Sequence, residues 1–175
     1  MRIPSATYRV QFNKDFRFQQ ARELLPYLQS IGITDLYASP VFKARKGSMH
    51  GYDVVDPTCV NPEIGTEDEF DQFVEDLHAR GMQLMLDIVP NHMAASTENP
   101  WWMDVLENGS ASAHGSFFDV EWGHRMPSVR DKIVLPILGE PYGTVLEDQR
   151  LALGWCEMGL CVKCYDALYP LDPAT

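Results

Sequence analysis

The sequence predicts an α/β fold in which parallel strands alternate with helices. Three observations support this prediction: short runs of strand-forming residues, apolar residues at helical spacing between those runs, and a glycine after each helical segment. The order strand, helix, strand, helix, strand is typical of parallel βαβ units. With 175 residues, 45% of them hydrophobic and 22% charged, the chain has the composition of an ordinary globular protein.

The first strand is predicted over residues 7–12, where Thr, Tyr, Val and Phe favour extended backbone. Apolar residues then recur at helical spacing from Phe18, and Gly32 ends that segment. Pro26 falls inside the pattern, and we expect it to kink the helix or to mark its restart. A second strand is predicted over residues 33–39, closed by a proline.

Residues 41–65 follow no period and contain five Gly or Pro residues, which predicts a long loop of the kind that is usually functional. Thr66 and Glu69 have the spacing of a capping box. The apolar residues that follow predict a second helix that ends at Gly81. Residues 82–89 then predict a buried third strand.

The regular alternation stops after this strand. Residues 94–175 are rich in turn formers, with one clear apolar segment at 133–138 and no further helix of comparable quality. We therefore expect residues 1–93 to form a βαβαβ portion. Residues 94–175 are expected to form an irregular, strand-containing lobe inserted after the third strand.

The excess of acidic residues argues against two classes of binding partner, nucleic acids and membranes. Lys and Arg number 14 against 25 for Asp and Glu, so the formal net charge is −11. Such a surface repels phosphate backbones and anionic lipids, so neither a nucleic acid nor a membrane is an expected partner. The longest nearly apolar run, residues 82–89, is too short to span a bilayer. Residues 1–10 lack the apolar stretch of a signal peptide, and we expect a cytoplasmic protein.

Two polar clusters follow the predicted second and third strands, at the ends where α/β folds locate their chemistry. Residues 50–53 (HGYD) and 87–92 (DIVPNH) supply imidazoles, carboxylates and an aromatic ring, a combination that suits a neutral polyhydroxylated ligand. Asp87, within a buried strand, needs a partner, and a structural ion pair is one role for it. Trp101 and Trp102 are either a sugar platform or the small core of the lobe.

Metal binding is the alternative use of these residues. His50, Asn91 and His92 are potential ligands, but no H-x3-H or H-E-x-x-H pattern accompanies them. A purely structural role is a further alternative for an imidazole that follows a buried strand. Three cysteines match part of a plant-type iron–sulfur spacing: Cys156, Cys161 and Cys164. Since the fourth ligand would be the distant Cys59, reduced thiols are the simpler interpretation.

The clusters resemble a known family. Residues 87–92 resemble the first signature region of the alpha-amylase superfamily, at the end of its third barrel strand, and residues 50–57 (HGYDVVDP) with 61–66 (NPEIGT) resemble its second-strand loop. The maltooligosyl trehalose synthases are similar over a further set of segments. These are residues 7–12 (TYRVQF), 36–40 (LYASP), 99–102 (NPWW), 104–109 (DVLENG) and 170–175 (PLDPAT). The resemblance covers essentially the whole chain and is weak only around residues 154–163.

The resemblance implies the N-terminal part of a (β/α)8 TIM barrel, with three parallel strands and two helices, plus the inserted lobe. It implies an isomerase of trehalose biosynthesis that converts the reducing-end α-1,4 link of a maltooligosaccharide into an α,α-1,1 link. In such a retaining reaction one carboxylate attacks the anomeric carbon, and a second, about 5.5 Å away, acts as acid and then base. The implied partners are the maltooligosaccharide and, functionally, a trehalose-releasing hydrolase. No cofactor is expected.

The resemblance also assigns residues to the substrate site: His50, Tyr52, Asp53, Asn91 and His92. Tyr52 is implied to stack on the sugar beside the cleaved bond, and His92 to bond a hydroxymethyl oxygen, with Asp87 supporting the site from behind. In many amylases the position of Asn91 binds calcium, but we expect no metal here.

No catalytic residue is expected within the chain, because the resemblance implies that the nucleophile and the acid/base lie beyond Thr175. Residues 1–175 alone are then expected to have no glycosidic activity. Two alternatives stay open: part of an alpha-amylase-type glucan hydrolase, and a glucan-binding module without catalytic function.

Overall fold

The computed structural model describes residues 3–156 and 158–172. The chain divides into two compact units, Met1–Ala94 and Ala95–Thr175. None of the helices in the described part of the chain has the length and apolar content that crossing a bilayer requires.

The first unit is built on a parallel sheet. Its elements in chain order are β1 (Thr7–Val10), α1 (Phe18–Ser30), β2 (Asp35–Ala38), β3 (Phe42–Ala44), β4 (Val54–Val60), α2 (Glu67–Ala79) and β5 (Gln83–Leu86). Strands β1, β2 and β5 form a three-stranded parallel sheet with β2 in the centre. The predicted alternation of strands and helices, and the parallel pairing, are therefore confirmed.

Both helices of this unit pack against the sheet through their apolar stripes. The side chains that α1 buries are Phe18, Ala21, Leu25 and Leu28, and those of α2 are Phe73 and Leu77. They share one core with Val10, Leu36 and Ala38 of the sheet. Of the two effects predicted for Pro26, the restart is excluded: α1 runs unbroken through this exposed residue, and its buried stripe continues from Leu25 to Leu28.

The capping box at the start of α2 is confirmed. The Thr66 hydroxyl accepts a hydrogen bond from the Glu69 amide at 3.1 Å, and the Glu69 carboxylate accepts one from the Thr66 amide at 2.8 Å. Farther along α2, Asp76 accepts a hydrogen bond from Arg22 of α1 at 2.8 Å. The two helices are thus joined by polar contacts as well as by the core.

The predicted loop over residues 41–65 is wrong in one respect, because it contains an antiparallel ribbon of β3 and β4. The pairing register shifts twice along this ribbon, so the side chains keep no two-residue period that the sequence would reveal. Pro57 lies inside β4, which is tolerated because β3 is the one strand that pairs with β4 within the described residues.

The third parallel strand is shorter and more exposed than predicted. β5 spans Gln83–Leu86, and three of its four residues are exposed. Among the described residues β5 pairs only with β2, so its other edge has no neighbour. We expected Asp87 to lie inside a buried strand, and this prediction is wrong. Asp87 follows the end of β5 and is half-buried.

The second unit contains the strands expected for the lobe and more helix than expected. Its elements are α3 (Pro100–Asn108), a short 3-10 helix (Gly109–Ala111), α4 (Tyr142–Glu147), β6 (Leu151–Cys156), β7 (Gly159–Cys164) and β8 (Ala167–Pro170). The three strands form an antiparallel sheet with β7 in the centre. The expectation of no further good helix is wrong at α3. A local signal was available there, since buried Asn99 caps the Trp101 and Trp102 amides and Pro100 occupies the first turn.

The apolar segment 133–138 forms neither helix nor strand. Ile133, Leu135 and Ile137 instead line a cavity of about 300 Å³ in the second unit, together with apolar side chains of α3, β7 and β8. None of the predicted site residues lines this cavity.

The surroundings of Trp102 and of the cysteines in this unit indicate structural roles rather than ligand binding. Trp102 is buried against Phe118, which assigns it to the small core, and Trp101 stacks on His114. Cys161 and Cys164 are both buried on β7, and residues three apart on a strand face opposite sides, which is incompatible with one shared cluster. The described residues contain no group of three or more His, Cys, Asp or Glu arranged for a metal ion.

Candidate functional site

A row of residues crosses the three parallel strands on the face opposite the helices. Arg9 of β1 is in register with Tyr37 of β2, which is in register with Met85 of β5. Their neighbours Val10 and Ala38 are directed into the core, so these alternate positions face away from the helices. Asp87 continues the row two residues beyond Met85, at the carboxyl end of the sheet.

Tyr52 reaches this row from the segment that connects β3 and β4. Its hydroxyl donates a hydrogen bond to the Asp87 carboxylate, and the Arg9 guanidinium donates one to the same hydroxyl at 3.2 Å. The hydrogen bond from Tyr37 to Asp87 is the main cause that raises the pKa of Tyr37 above its ordinary value. Asp87 is thus hydrogen-bonded to phenols, and among the described residues it forms none of the ion pairs that we considered for it.

The His92 side chain forms a hydrogen bond with the backbone of Tyr52. Its Nε2 lies 3.1 Å from the Tyr52 carbonyl oxygen. A carbonyl oxygen only accepts hydrogen bonds, so Nε2 carries the proton and Nδ1 of the neutral ring is left as an acceptor. His92 therefore offers an acceptor to a hydroxyl group of a ligand.

His50 and Asp53 flank Tyr52 and are each held by a local contact. The His50 Nδ1 accepts a hydrogen bond from the Tyr52 amide at 3.0 Å, and the His50 ring stacks on the Tyr52 ring with centroids 6.0 Å apart. Asp53 accepts a hydrogen bond from the Ser48 hydroxyl at 2.5 Å. The distance from His50 Nδ1 to the Asp53 carboxylate, 3.8 Å, is too long for a hydrogen bond, so Ser48 is the partner that orients Asp53.

Gly51 is required between His50 and Tyr52 for a steric reason. Its φ of +77° lies in the left-handed region, and a Cβ at this position would lie 2.8 Å from the Pro40 carbonyl oxygen. The loop therefore passes against the backbone that follows β2 at a distance that only glycine allows.

The structure brings together five of the six residues predicted for the site. His50, Tyr52, Asp87 and His92 are connected through Tyr52, and Asp53 follows in the same segment. Asn91 is exposed, and within the described ranges no hydrogen-bond partner is present for it.

Sequence reasoning missed three residues that contact this group: Arg9, Gln11 and Tyr37. Gln11 donates to the His50 carbonyl oxygen at 3.0 Å and accepts from Arg9 at 2.9 Å. The available signal was the alternation along β1, which directs Thr7, Arg9 and Gln11 to one face.

The arrangement is suited to binding rather than to nucleophilic attack. Its two carboxylates, Asp53 and Asp87, already accept hydrogen bonds from hydroxyl groups of the protein. What remains is a half-buried aromatic ring, an imidazole acceptor and an exposed imidazole, none of which requires a charged ligand. Such a set matches a sugar, whose ring faces stack on aromatics and whose hydroxyls both donate and accept.

Comparison with known proteins identifies similar sequences. Residues 19–137 match the family described as alpha amylase, catalytic domain. A Mycobacterium tuberculosis protein assigned as a maltooligosyl trehalose synthase is 43% identical over 142 residues, which cover 77% of this chain and 18% of that protein.

Solved structures extend the similarity to nearly the whole chain. A crystal structure of maltooligosyl trehalose synthase matches with a TM-score of 0.87 and 39% identity, covering 96% of this chain and 22% of the other. The type III pullulan hydrolase from Thermococcus kodakarensis matches with a TM-score of 0.55 and 41% identity, over 60% of this chain and 18% of the other. The chain thus spans about a fifth of the length of these relatives.

Proposed function

The chain belongs to the alpha-amylase catalytic-domain family, and we propose that it forms the sugar-binding start of a maltooligosyl trehalose synthase. One observation carries the choice of activity: the match to a synthase structure extends over 96% of the chain, whereas the match to a pullulan hydrolase extends over 60%. The proposed reaction transfers the reducing-end glucose of a maltooligosaccharide within the same molecule, from an α-1,4 to an α,α-1,1 link.

In this proposal five side chains contact the sugar: His50, Tyr52, Asp53, Asn91 and His92. The Tyr52 ring covers one face of the glucose that rotates during the reaction. The proton on His92 Nε2 supports a role for Nδ1 as the acceptor of a sugar hydroxyl. Asp53, oriented by Ser48, bonds a second hydroxyl, and Asp87 holds the tyrosine in position.

The two units have separate roles in the proposal. Residues 1–93 are the first βαβαβ portion of the catalytic barrel, and residues 94–175 are the lobe inserted after its third strand. The nucleophile and the acid/base come from outside residues 1–175, and no cofactor takes part. During the covalent stage the ring of Tyr52 excludes water, so that the rotated glucose rather than water accepts the glycosyl group. A cytoplasmic location and coupling to a trehalose-releasing hydrolase complete the proposal.

Product analysis of the full-length protein with maltopentaose tests this function. We expect the number of reducing ends to fall with little free glucose released, and an α,α-1,1 anomeric signal to appear in the proton NMR spectrum. A rise in reducing ends would instead support a glucan hydrolase. Binding of maltopentaose without any product would support a non-catalytic module.

A further inference from the structure

Two residues contact the phenol of Tyr52, and a third supports them. Asp87, after β5, accepts its proton, Arg9 of β1 donates to its oxygen at 3.2 Å, and Tyr37 of β2 shares the Asp87 carboxylate. An ionised carboxylate only accepts hydrogen bonds, so the Tyr52 phenol directs its proton toward Asp87. The lone pairs left on the Tyr52 oxygen then face the Arg9 donor.

Arg9 connects the Tyr52 hydroxyl to the backbone that precedes it. One guanidinium nitrogen donates to Tyr52, and another donates to the Gln11 side chain at 2.9 Å. Gln11 in turn donates to the carbonyl oxygens of Met49 at 3.3 Å and His50 at 3.0 Å. Arg9 of β1 and Gln11, just after this strand, therefore fix both the Tyr52 ring and the loop that carries it.

The Tyr37 ring also packs against the Arg9 guanidinium. The centre of the guanidinium lies 5.6 Å from the centroid of the Tyr37 ring, within the range of a cation–π contact. Arg9 and Asp87, the two hydrogen-bond partners of the Tyr52 hydroxyl, are of opposite charge type.

We propose that Arg9 and Tyr37 are positioning residues for Tyr52: they determine the plane of the ring that covers the sugar, and thereby how well water is excluded. This inference rests on the proposed function and adds two residues to its site. With Asp87 as its only partner, the Tyr52 phenol would be free to swing about that single hydrogen bond. The donor from β1 removes this freedom directly, and Tyr37 of β2 does so through Asp87 and Arg9.

Two conservative variants of the full-length protein test the inference. Tyr37→Phe removes the hydroxyl that shares Asp87 and keeps the ring under Arg9. Arg9→Lys keeps the charge but lacks the planar fork that reaches both Tyr52 and Gln11. Tyr8→Phe is the matched control, because Tyr8 adjoins Arg9 on β1 but lies on the opposite face of the sheet.

Three measurements are made on each variant: steady-state kinetics with maltopentaose, the fraction of turnovers that end in hydrolysis, and the Cζ resonance of Tyr52 in carbon-13-labelled protein. For Tyr37→Phe and Arg9→Lys we expect kcat to fall about 10-fold, the size of one lost hydrogen bond to a charged group. The hydrolysed fraction should rise and the Tyr52 resonance should shift. Tyr8→Phe should leave all three unchanged.

The inference is overturned if Tyr37→Phe and Arg9→Lys keep the wild-type hydrolysed fraction and the wild-type Tyr52 resonance, whatever their thermal stability. A lower kcat accompanied by an unchanged resonance overturns it as well, because activity would then be lost without movement of the ring. The resonance also separates this inference from the proposed function. If the wild-type protein forms no trehalose-ended product, the proposed function fails, and a resonance that still shifts in both variants upholds the positioning of Tyr52.

Discussion

Replacing Gly51 by alanine should damage the site more than the same replacement at Gly47. Both glycines lie in the loop between β3 and β4 with nearly equal φ, +77° and +76°. A left-handed alanine costs about 1–2 kcal/mol, of which the loss of chain entropy in the unfolded state returns about 0.4–1 kcal/mol. Gly47→Ala should therefore lower the free energy of unfolding by at most about 1.5 kcal/mol, since nothing lies within 4 Å of its new Cβ.

At Gly51 a steric contact is added to this cost. The new Cβ would lie 2.8 Å from the carbonyl oxygen of Pro40, a backbone atom that cannot turn aside as a flexible side chain would. Crowding of this kind costs about 1–3 kcal/mol, so Gly51→Ala should lower the free energy of unfolding by about 1–3 kcal/mol more than Gly47→Ala does. Relief of the contact would displace Tyr52, so activity should also fall.

Urea denaturation followed by far-ultraviolet circular dichroism measures both variants beside the wild type, and kcat/KM for maltopentaose is measured on the same samples. Equal losses of stability in the two variants would refute the reasoning, because the Pro40 contact would then contribute nothing. A Gly51→Ala protein with wild-type kcat/KM would refute the link between this glycine and the position of Tyr52.

Three further predictions concern single side chains. His92→Ala should lower kcat/KM by about 10-fold to 1000-fold, roughly 1.4–4 kcal/mol, as expected for one lost transition-state contact; steady-state kinetics equal to wild type would leave the imidazole a structural role only. Tyr52→Ala should lower turnover and raise the share of glucose released by hydrolysis, and an unchanged product ratio would contradict the water-excluding role of the ring. In the second unit, hydrogen bonds from Ser112 and then His114 lower the pKa of Asp104. Its ionised form therefore stabilises the fold above the ordinary Asp pKa of about 3.9 and loses this effect as the pH falls through the lower folded value. Asp104→Asn should be most destabilising at neutral pH in urea titrations, and a loss that is the same at every pH would argue against the ionised carboxylate.

Several features of the fold and the site could be predicted from the sequence because their causes are local. The capping box that starts α2 involves residues three apart, and the HGYD and DIVPNH clusters are contiguous in the chain. Their position at the ends of the second and third parallel strands followed from the alternation of strands and helices alone. The same alternation predicted that Tyr52, Asp87 and His92 would meet.

The contacts of those residues could not be predicted from the sequence, because they depend on the pairing register of strands that are distant in the chain. Arg9 meets Tyr37 because β1 pairs with β2 in one particular register, and a slip of β1 by one residue would direct Arg9 into the core while Tyr37 stayed on the opposite face. The protonation of His92 at Nε2 likewise follows from a contact with a carbonyl oxygen 40 residues earlier.

The sequence by itself determined the order and type of the elements in the first unit, because helical and strand periodicities are properties of a few neighbouring residues. Only the tertiary structure decided how deeply those elements are buried and what they touch. Asp87 illustrates the difference: its apolar neighbours predicted a buried strand, yet in the described part of the chain β5 has one partner strand, and Asp87 lies half-buried beyond its end with two phenols as partners. Burial depends on which surfaces pack on a segment, and the composition of the segment alone does not contain that information.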